Sequence, residues 1–255
     1  MKCIIFAGGL GTRLSEKTDK IPKPMVEVGD KPLLWHIMKI YSVYGIKEFI
    51  ILAGYKQHSI KEYFNNYYLH NCSATFDLYN NTVTYNQTKI ENWKVTILDT
   101  GINTPTGDRL KQAKHLIKDE TFLLTYGDGL SDVSITQLIE YHKLMHGMVT
   151  LTSVQPEGKY GNLILDNNNH ITNYEEKPVG DNRWINGGYM VCNKQIFNNL
   201  QEGDFANTLK YLSLQNQLHA YPHKGFWKSV DTIWDLNYAR KLWDDDEAKW
   251  KVWSD

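Results

Sequence analysis

The chain of 255 residues carries 28 Lys and Arg side chains against 29 Asp and Glu side chains, a formal net charge of −1. This balance gives no support for nucleic-acid binding through bulk charge, and the length suits one large α/β domain. No apolar run approaches the roughly 20 residues that span a bilayer, and the first residues do not resemble a signal peptide. We therefore expect neither a nucleic-acid partner nor a membrane.

The cysteines Cys3, Cys72 and Cys192 are odd in number and widely separated. They lack the spacing of metal ligands or of a disulfide framework. Cys3 and Cys192 lie in apolar, strand-like runs, so we expect buried free thiols. Free thiols are typical of a reducing cytoplasm, which is the expected compartment.

The first predicted element is a buried strand over residues 2–7, which runs into Gly8-Gly9-Leu10-Gly11-Thr12-Arg13. Glycines allow positive φ angles and present bare N–H groups to an anion, and the Arg13 guanidinium suits phosphate oxygens. Neither a P-loop nor a Gly-x-Gly-x-x-Gly fingerprint fits this spacing. The alternative is a glycine turn without a ligand.

A second basic residue follows in Pro22-Lys23-Pro24. The two prolines restrict the backbone around Lys23 and hold its compact charge at one place. Together with Arg13 and the glycines, Lys23 favours a site for a polyphosphate over an empty turn.

Strand-like and helical runs then alternate along the first half of the chain. Strands are predicted at 2–7, 49–53 and 121–126, and helices at 33–41 and 59–64. This βαβ order predicts a parallel sheet with helices on both faces. Ligands bind at the carboxyl ends of such strands, where the glycine loop and Gly127-Asp128 both fall.

Shorter strands are predicted in the rest of the chain. Residues 75–79 and 82–85 flank a turn at Asn80-Asn81. Further strands are predicted at 149–154, 161–165, 171–174 and 188–192. No linker, repeat or low-complexity segment interrupts the chain, so we expect a single domain over residues 1–255.

Two aspartates each follow a strand-like run. Asp128 lies in Gly127-Asp128-Gly129, and Asp231 follows the aromatic run that begins at Phe226. Two carboxylates at strand ends, with phosphates supplying further oxygens, suit Mg²⁺. The alternatives are a turn aspartate at Asp128 and a helix N-cap at Asp231.

The run Gly8-Gly9-Leu10-Gly11-Thr12-Arg13-Leu14 followed by Pro22-Lys23-Pro24-Met25 resembles the signature of the sugar-nucleotidyltransferase family. The resemblance covers essentially the whole chain, and residues 35–39 and 106–111 are similar to its cytidylyltransferase branch. It implies a Rossmann-like three-layer α/β fold of the nucleotide-diphospho-sugar transferase type, with a mixed, mainly parallel sheet. The nucleotide-binding half is expected at about 1–130, and the sugar-phosphate half with the C-terminal tail at about 131–255.

The resemblance implies transfer of CMP from CTP to a sugar 1-phosphate. The expected acceptor is α-D-glucose 1-phosphate, and the expected products are CDP-glucose and pyrophosphate. Asp128 and Asp231 are expected to hold Mg²⁺, Arg13 to neutralise the leaving phosphates, and Lys23 to hold the α-phosphate region. These four are the predicted catalytic residues. No general base is required, because the attacking phosphate is already anionic.

Nucleotide contacts are implied at the glycine loop and at the residues that precede the predicted helix over 110–117. The predicted nucleotide-binding residues are Ala7, Gly8, Gly9, Leu10, Gly11, Thr12, Arg13, Lys23, Thr104, Thr106, Gly107, Arg109 and Gly127. For residues 104–109 the alternative is a polar connection that precedes a helix over 110–117.

Sugar-phosphate contacts are implied at Glu176 and Lys177, which resemble the family's Glu-Lys-Pro element, and at Asn186 and Gly187. The alternatives are a solvated surface turn for the first pair and a bulge at a strand start for the second.

Two departures from the family pattern concern the acceptor and the nucleotide loop. Asp108 stands where close relatives carry a second glycine, and it either tightens the loop or points to solvent. Residues 204–209 lack the glutamate and proline that relatives place there, so another acceptor is an open alternative. UTP or dTTP as the nucleotide, or a nucleotide-sensing domain without turnover, are the further alternatives.

Three tryptophans, Trp243, Trp250 and Trp253, crowd the last 13 residues. They predict a tail that packs against the body of the chain or against a neighbouring subunit. Relatives assemble into homo-oligomers, so the resemblance implies the same here.

Overall fold

A computed structural model describes residues 1–9, 21–86, 90–156, 161–176 and 183–254. In chain order the strands are β1 (Lys2–Ala7), β2 (Glu27–Val28), β3 (Lys31–Pro32), β4 (Glu48–Ala53), β5 (Ser73–Asp77), β6 (Thr82–Asn86), β7 (Lys94–Asp99), β8 (Thr121–Tyr126), β9 (Gly129–Ser131), β10 (Val149–Val154), β11 (Asn162–Leu165), β12 (Ile171–Glu175), β13 (Ile185–Asn193), β14 (Leu218–His223) and β15 (Trp227–Ser229). The α-helices are α1 (Leu33–Val43), α2 (Gln57–Asn65), α3 (Tyr67–Asn71), α4 (Thr106–Gln112), α5 (Ile135–Met145), α6 (Phe205–Leu214) and α7 (Ile233–Asp244). None of these helices is long and apolar enough to cross a membrane.

The central sheet has seven strands in the order β14-β10-β13-β8-β1-β4-β7. The pairs β8–β1, β1–β4, β4–β7 and β10–β14 are parallel, whereas β13 is antiparallel to both of its neighbours. Six strands therefore end at the same edge of the sheet. Because β13 runs the opposite way, its first residues lie at that edge, beside the ends of β8 and β10.

Side chains of β1 alternate between the two faces of the sheet, as a fully buried strand requires. Cys3 and Ile5 pack with α1, α5 and α7 on one face. Ile4 and Phe6 pack with α4 and α6 on the other. The structure is thus helix, sheet, helix in three layers, which confirms the predicted fold class.

The remaining strands form small two-stranded pairs. β5–β6 and β11–β12 are antiparallel hairpins. β2–β3 follows the Lys23 loop, and β15 pairs with β9 just after Asp128.

The C-terminal tail packs against the body of the same chain, one of its two expected positions. The His36 ring of α1 has the rings of Trp243, Trp250 and Trp253 at 4.7, 6.2 and 6.1 Å between centroids. The Trp250 Nε1–H donates to His36 Nδ1 at 3.4 Å, and both side chains are fully buried. Cys3 and Cys192 are buried free thiols, as expected.

All the predicted strands are present with ends that shift by at most a few residues, as are the helices predicted at 33–41 and 59–64. The helix placed over 110–117 is a correction: α4 begins at Thr106, and residues 113–116 form a separate 3-10 turn. Pro105 precedes the first helical residue with φ −62° and ψ 158°. Pro105 is therefore the residue before the helix, and Gly107 lies in its first turn, although both residue types favour a loop in the sequence.

Candidate active site

Two adjoining cavities lie at the edge of the sheet where the six strands end. The larger has a volume of about 470 Å³ and the smaller about 270 Å³. Tyr126, Asp128 and Asp231 line both. The larger is otherwise lined by residues of the first half together with Asp204, and the smaller by residues that include Asn186, Gly187 and Trp227.

The end of β1 supplies one wall of the larger cavity through Ala7, Gly8 and Gly9. A Cβ atom at Gly8 would lie 2.3 Å from Nη1 of Arg109, so a side chain there would require the buried guanidinium to shift. At Gly9 a Cβ atom would meet no atom within 4 Å. Leu10, Gly11, Thr12 and Arg13, all predicted to bind nucleotide, lie outside the described residues.

Arg109 is almost completely buried, with 3% of its surface exposed. Its guanidinium donates hydrogen bonds to Thr100 Oγ1 at 2.5 Å, Gly101 O at 2.7 Å, Ile102 O at 2.9 Å and Gly8 O at 3.0 Å. Burial lowers its pKa, and the Asp99 charge opposes that shift. Arg109 therefore cross-links the backbone that follows β1 and β7, and it lines the larger cavity.

Of the other predicted nucleotide-binding residues at 104–109, two line the larger cavity and one contacts the segment that begins α6. Thr104 and Thr106 line the larger cavity. Gly107 instead packs against the start of α6, where its N–H donates to Gly203 O at 3.0 Å. A Cβ atom at Gly107 would lie 2.6 Å from that oxygen.

Both departures from the family pattern meet at this contact between α4 and α6. Asp108 Oδ2 accepts from Gly203 N at 3.2 Å, so its side chain ties the loop rather than pointing to solvent. Thr106 Oγ1 accepts from Phe205 N at 2.8 Å, and Asp204 Oδ1 accepts from Thr106 Oγ1 at 3.3 Å. Asp204 also lines the larger cavity.

Lys23 lies between the two aspartates. Its Nζ is 2.7 Å from Asp128 Oδ2 and 2.7 Å from Asp231 Oδ1. The lysine side chain is 11% exposed, and the aspartates 32% and 25%. The three predicted catalytic residues that the structure describes are thus brought into one ion-paired cluster.

The loop that carries Asp231 is held by several hydrogen bonds. Ser229 Oγ donates to Asp231 Oδ2 at 2.5 Å. The N-cap of α7 is Thr232 rather than Asp231, and it forms a capping box with Asp235. Asp235 Oδ2 also accepts from Asp231 N at 3.2 Å. The helix cap therefore uses the Thr232 side chain and not the Asp231 carboxylate.

The two aspartates fit the way in which Mg²⁺ is held at phosphate sites, by one or two carboxylates with phosphates and waters supplying the rest. Both already contact one cationic group, the Lys23 ammonium. Within the described ranges no group of three His, Cys, Asp or Glu residues could form an all-protein metal site. A metal here would depend on the substrate's phosphates for its other ligands.

The smaller cavity contains the predicted sugar-side residues of β13. Asn186 Oδ1 accepts from Gly188 N at 2.9 Å, and Gly187 O accepts from the indole N–H of Trp227 at 2.7 Å. Glu176 directly follows β12 and accepts a hydrogen bond from the Tyr174 hydroxyl. It lines neither cavity. Lys177 lies outside the described residues.

Several residues of the site are missing from the sequence prediction. Tyr126, Trp227 and Ser229 line the smaller cavity. Burial raises the pKa of Tyr126 to about 12, with the charges of Asp128 and Asp204 adding to the effect. Trp227 and Ser229 lie in the run that directly precedes Asp231, and this position in the sequence could have identified them. Asp204 carried no such signal, because its contact with Thr106 spans 98 residues.

Known proteins match the chain over nearly all of its length. The profile of the Nucleotidyl transferase family matches residues 2–244. The glucose-1-phosphate cytidylyltransferase of Salmonella typhi is 46% identical over 99% of this chain and 100% of its own length. The D-glycero-α-D-manno-heptose 1-phosphate guanylyltransferase of Campylobacter jejuni is 32% identical over 83% of this chain and 82% of its own length.

Among solved structures, HddC from Yersinia pseudotuberculosis is similar with a TM-score of 0.67 and 24% identity. The match covers 95% of this chain and 99% of HddC. At that identity the likeness concerns the fold alone. The sequence matches go further, and on them the chain belongs to the nucleotidyl transferase family.

Proposed function

We propose that this chain transfers CMP from CTP to α-D-glucose 1-phosphate and releases CDP-glucose and pyrophosphate. The observation that carries this proposal is the full-length similarity to the Salmonella typhi glucose-1-phosphate cytidylyltransferase, at 46% identity. The two adjoining cavities support it, since a nucleotide and a sugar phosphate must meet at one point.

In the proposed reaction an oxygen of the sugar phosphate attacks the α-phosphorus of CTP. The bond from that phosphorus to the β-phosphate bridging oxygen breaks, and pyrophosphate leaves with the bonding electrons. Such transfers depend on positioning and charge neutralisation rather than on a covalent catalyst. The line of attack would cross from the smaller cavity to the larger, past Asp128 and Asp231.

The chain's own residues would hold the nucleotide in three ways. Gly8 and Gly9 let the phosphates approach the backbone closely. Lys23 and Arg13 supply positive charge to the phosphates. Arg109 fixes the loops that form the wall of the larger cavity, where Thr104 and Thr106 would contact the nucleotide.

We place Mg²⁺ at Asp128 and Asp231. When bound, the ion supplies positive charge that polarises phosphate oxygens and offsets the charge that develops on the leaving group. Ser229 would orient the Asp231 carboxylate, as a hydrogen bond to a ligating carboxylate does in other metal sites.

The acceptor would bind in the smaller cavity. Asn186 offers an amide, Gly187 permits close approach, and Trp227 offers an aromatic face beside them. Lys177 is proposed to meet the sugar phosphate and Glu176 the sugar hydroxyls. The half at about 1–130 would thus mainly serve the nucleotide, and the half at about 131–255 mainly the acceptor, within one domain.

The test is divalent-metal-dependent release of pyrophosphate with CTP, UTP, dTTP and GTP against a panel of sugar 1-phosphates. We expect turnover with CTP and glucose 1-phosphate. Turnover with CTP and another sugar would keep the mechanism and change the acceptor. Turnover confined to another nucleotide would contradict the cytidylyl assignment, and absence of turnover across the panel would favour a nucleotide sensor.

We also propose a homo-oligomer in a reducing cytoplasm. The β5–β6 hairpin exposes 55% of Phe76 and 45% of Val83, and the β11–β12 hairpin exposes 58% of Ile164. Exposed apolar side chains on neighbouring strands are typical of surfaces that another subunit covers. Light scattering on the purified protein measures the mass, and a monomer would contradict the proposal. The free buried thiols of Cys3 and Cys192 support the compartment.

A further inference from the structure

The cluster of Lys23, Asp128 and Asp231 combines one positive charge with two negative charges. Each N–O distance is 2.7 Å, which is typical of charge-assisted hydrogen bonds. The lysine side chain is only 11% exposed, so water screens these contacts less than it screens a surface pair. The ammonium group is therefore a strong partner of both carboxylates.

A divalent cation and the Lys23 ammonium would use the same oxygen atoms. Mg²⁺ binds carboxylate oxygens at about 2.0–2.1 Å, and the ammonium already lies against Asp128 Oδ2 and Asp231 Oδ1. Both cations cannot occupy the space between these two atoms. Lys23 must leave at least one carboxylate before the pair can share a metal ion.

The backbone of Lys23 is held firmly, whereas its side chain is long and flexible. Met25 N donates to Pro22 O at 2.8 Å and closes a tight turn around Lys23. Pro24 packs so closely on Gly127 that a Cβ atom there would lie 2.9 Å from Pro24 Cγ. Movement of the ammonium would therefore come from rotation of its four-carbon chain.

A nucleotide in the larger cavity offers the ammonium another partner. Lys23 lines that cavity together with Gly8 and Gly9, the residues proposed to face the phosphates. We propose that Lys23 is the built-in counter-ion of Asp128 and Asp231, and that a divalent cation reaches this pair only when nucleotide phosphates take over the Lys23 charge. Metal and nucleotide then bind with strong positive cooperativity, and the coupling is reciprocal.

This inference rests on the proposed function for its nucleotide partner, but the competition between Lys23 and the metal does not. The probe is Mn²⁺, whose binding to the whole protein is measured by electron paramagnetic resonance or calorimetry. Measurements are made alone and with α,β-methylene-CTP, which cannot react, after correction for Mn²⁺ bound to the free analogue. We expect the analogue to tighten Mn²⁺ binding to the unmodified protein about tenfold or more.

The deciding variant is Lys23→Met. Without the ammonium, the two carboxylates lose their counter-ion, so Mn²⁺ alone should bind about tenfold or more tightly than to the unmodified protein. The effect of the analogue on Mn²⁺ affinity should shrink by a similar factor. K23R keeps the charge and should keep the weak Mn²⁺ binding. K23Q, which retains a hydrogen-bond donor without the charge, replaces K23M if that variant does not fold.

The matched control is Lys39→Met, which removes a lysine that is 21% exposed and pairs with Glu91 at 2.5 Å away from both cavities. It should leave Mn²⁺ affinity unchanged. Folded K23M or K23Q protein that binds Mn²⁺ no more tightly than K39M would overturn the inference. Failure of the unmodified protein to bind the analogue would instead count against the proposed function, because the comparison with Mn²⁺ alone needs no nucleotide.

Discussion

At this site, packing against neighbouring side chains limits which residue a position can carry, in addition to any contact with a ligand. Gly8 is adjacent to Gly9 in the same loop, yet only Gly8 lies against a side chain, the guanidinium of Arg109. That guanidinium makes its hydrogen bonds with backbone oxygens and one hydroxyl, so it needs space beside the end of β1. A substitution at position 8 therefore acts through Arg109.

We predict that Gly8→Ala destabilises the protein by about 1–3 kcal/mol, because the added methyl group overpacks a buried contact. It should also weaken nucleotide binding by displacing Arg109 from the cavity wall. The measurements are urea unfolding and calorimetric titration with α,β-methylene-CTP. Gly9→Ala is the control and should keep the stability of the unmodified protein, since nothing lies within 4 Å of its Cβ position. Equal stability of the two variants would contradict the steric argument.

At the scale of elements, the loop that carries Asp231 is held by the N-terminal cap of the helix that follows it, α7. Thr232 Oγ1 accepts from Asp235 N at 3.2 Å, and Asp235 Oδ2 accepts from Thr232 N at 2.9 Å. This capping box starts α7 immediately after Asp231. Its hydrogen bonds therefore stabilise the helix and hold the backbone of the proposed metal ligand at once.

We predict that Thr232→Ala lowers the free energy of unfolding by about 1 kcal/mol, the usual cost of a lost N-cap. It should also lower kcat and weaken Mn²⁺ binding, since the backbone at Asp231 loses a constraint. Ser134 caps α5, where its side chain accepts from Gln137 N at 3.3 Å, and it lines neither cavity. Ser134→Ala should cost a similar free energy with full activity. Equal activity of both variants would show that the cap of α7 is structural only.

The elements that local sequence predicts well are those with an unambiguous apolar run. β1, β4 and β8 are buried on both faces, and their continuous hydrophobic sequence identifies them without tertiary information. The start of α4 is harder, because Pro105 and Gly107 both argue for a loop. Gly107 is helical here since its lack of a side chain admits the backbone of Gly203. That neighbour lies far along the chain and is invisible to a local pattern.

At the scale of the whole molecule, contacts between distant segments decide what the sequence could and could not predict about the site. The two strand ends that carry Asp128 and Gly8 follow from the parallel sheet, so their proximity was predictable. The reversal of β13, which brings Asn186 and Gly187 to the same edge, is a property of the sheet topology. The bridging position of Lys23 and the place of Asp204 depend on side chains that meet across more than 90 residues.

The C-terminal tail helps to bury His36, and the pKa of this histidine lies below its ordinary value. Burial lowers the pKa of His36 to about 4, although hydrogen bonding to Val28 and the charge of Asp30 oppose the shift. His36 Nε2 lies 2.9 Å from Val28 O, and Nδ1 accepts from Trp250. The neutral imidazole thus links α1, β2 and the tail, and its protonation would leave a charge without water in that cluster.

We predict that the protein loses stability as the pH falls from about 6.5 to about 4. In this window the unfolded chain binds a proton at His36 and the folded chain does not, so the free energy of unfolding decreases with falling pH. For His36 the full loss is about 3 kcal/mol at the lower end of the window. Burial also lowers the pKa of His142, which adds a loss of the same sign. Urea unfolding followed by tryptophan fluorescence at a series of pH values measures the slope.

The variant His36→Gln separates the contribution of His36 to the pH dependence of unfolding from that of the other titratable groups. Glutamine retains an N–H donor for Val28 but has no group that titrates in this range, so part of the slope should disappear. His58→Gln, on the exposed side of α2, should keep the slope of the unmodified protein. If His36→Gln unfolds with an unchanged pH dependence, the tail cluster does not control acid stability. A reduced slope would mean that the burial of His36 among the three C-terminal tryptophans contributes to the acid limit of the folded state.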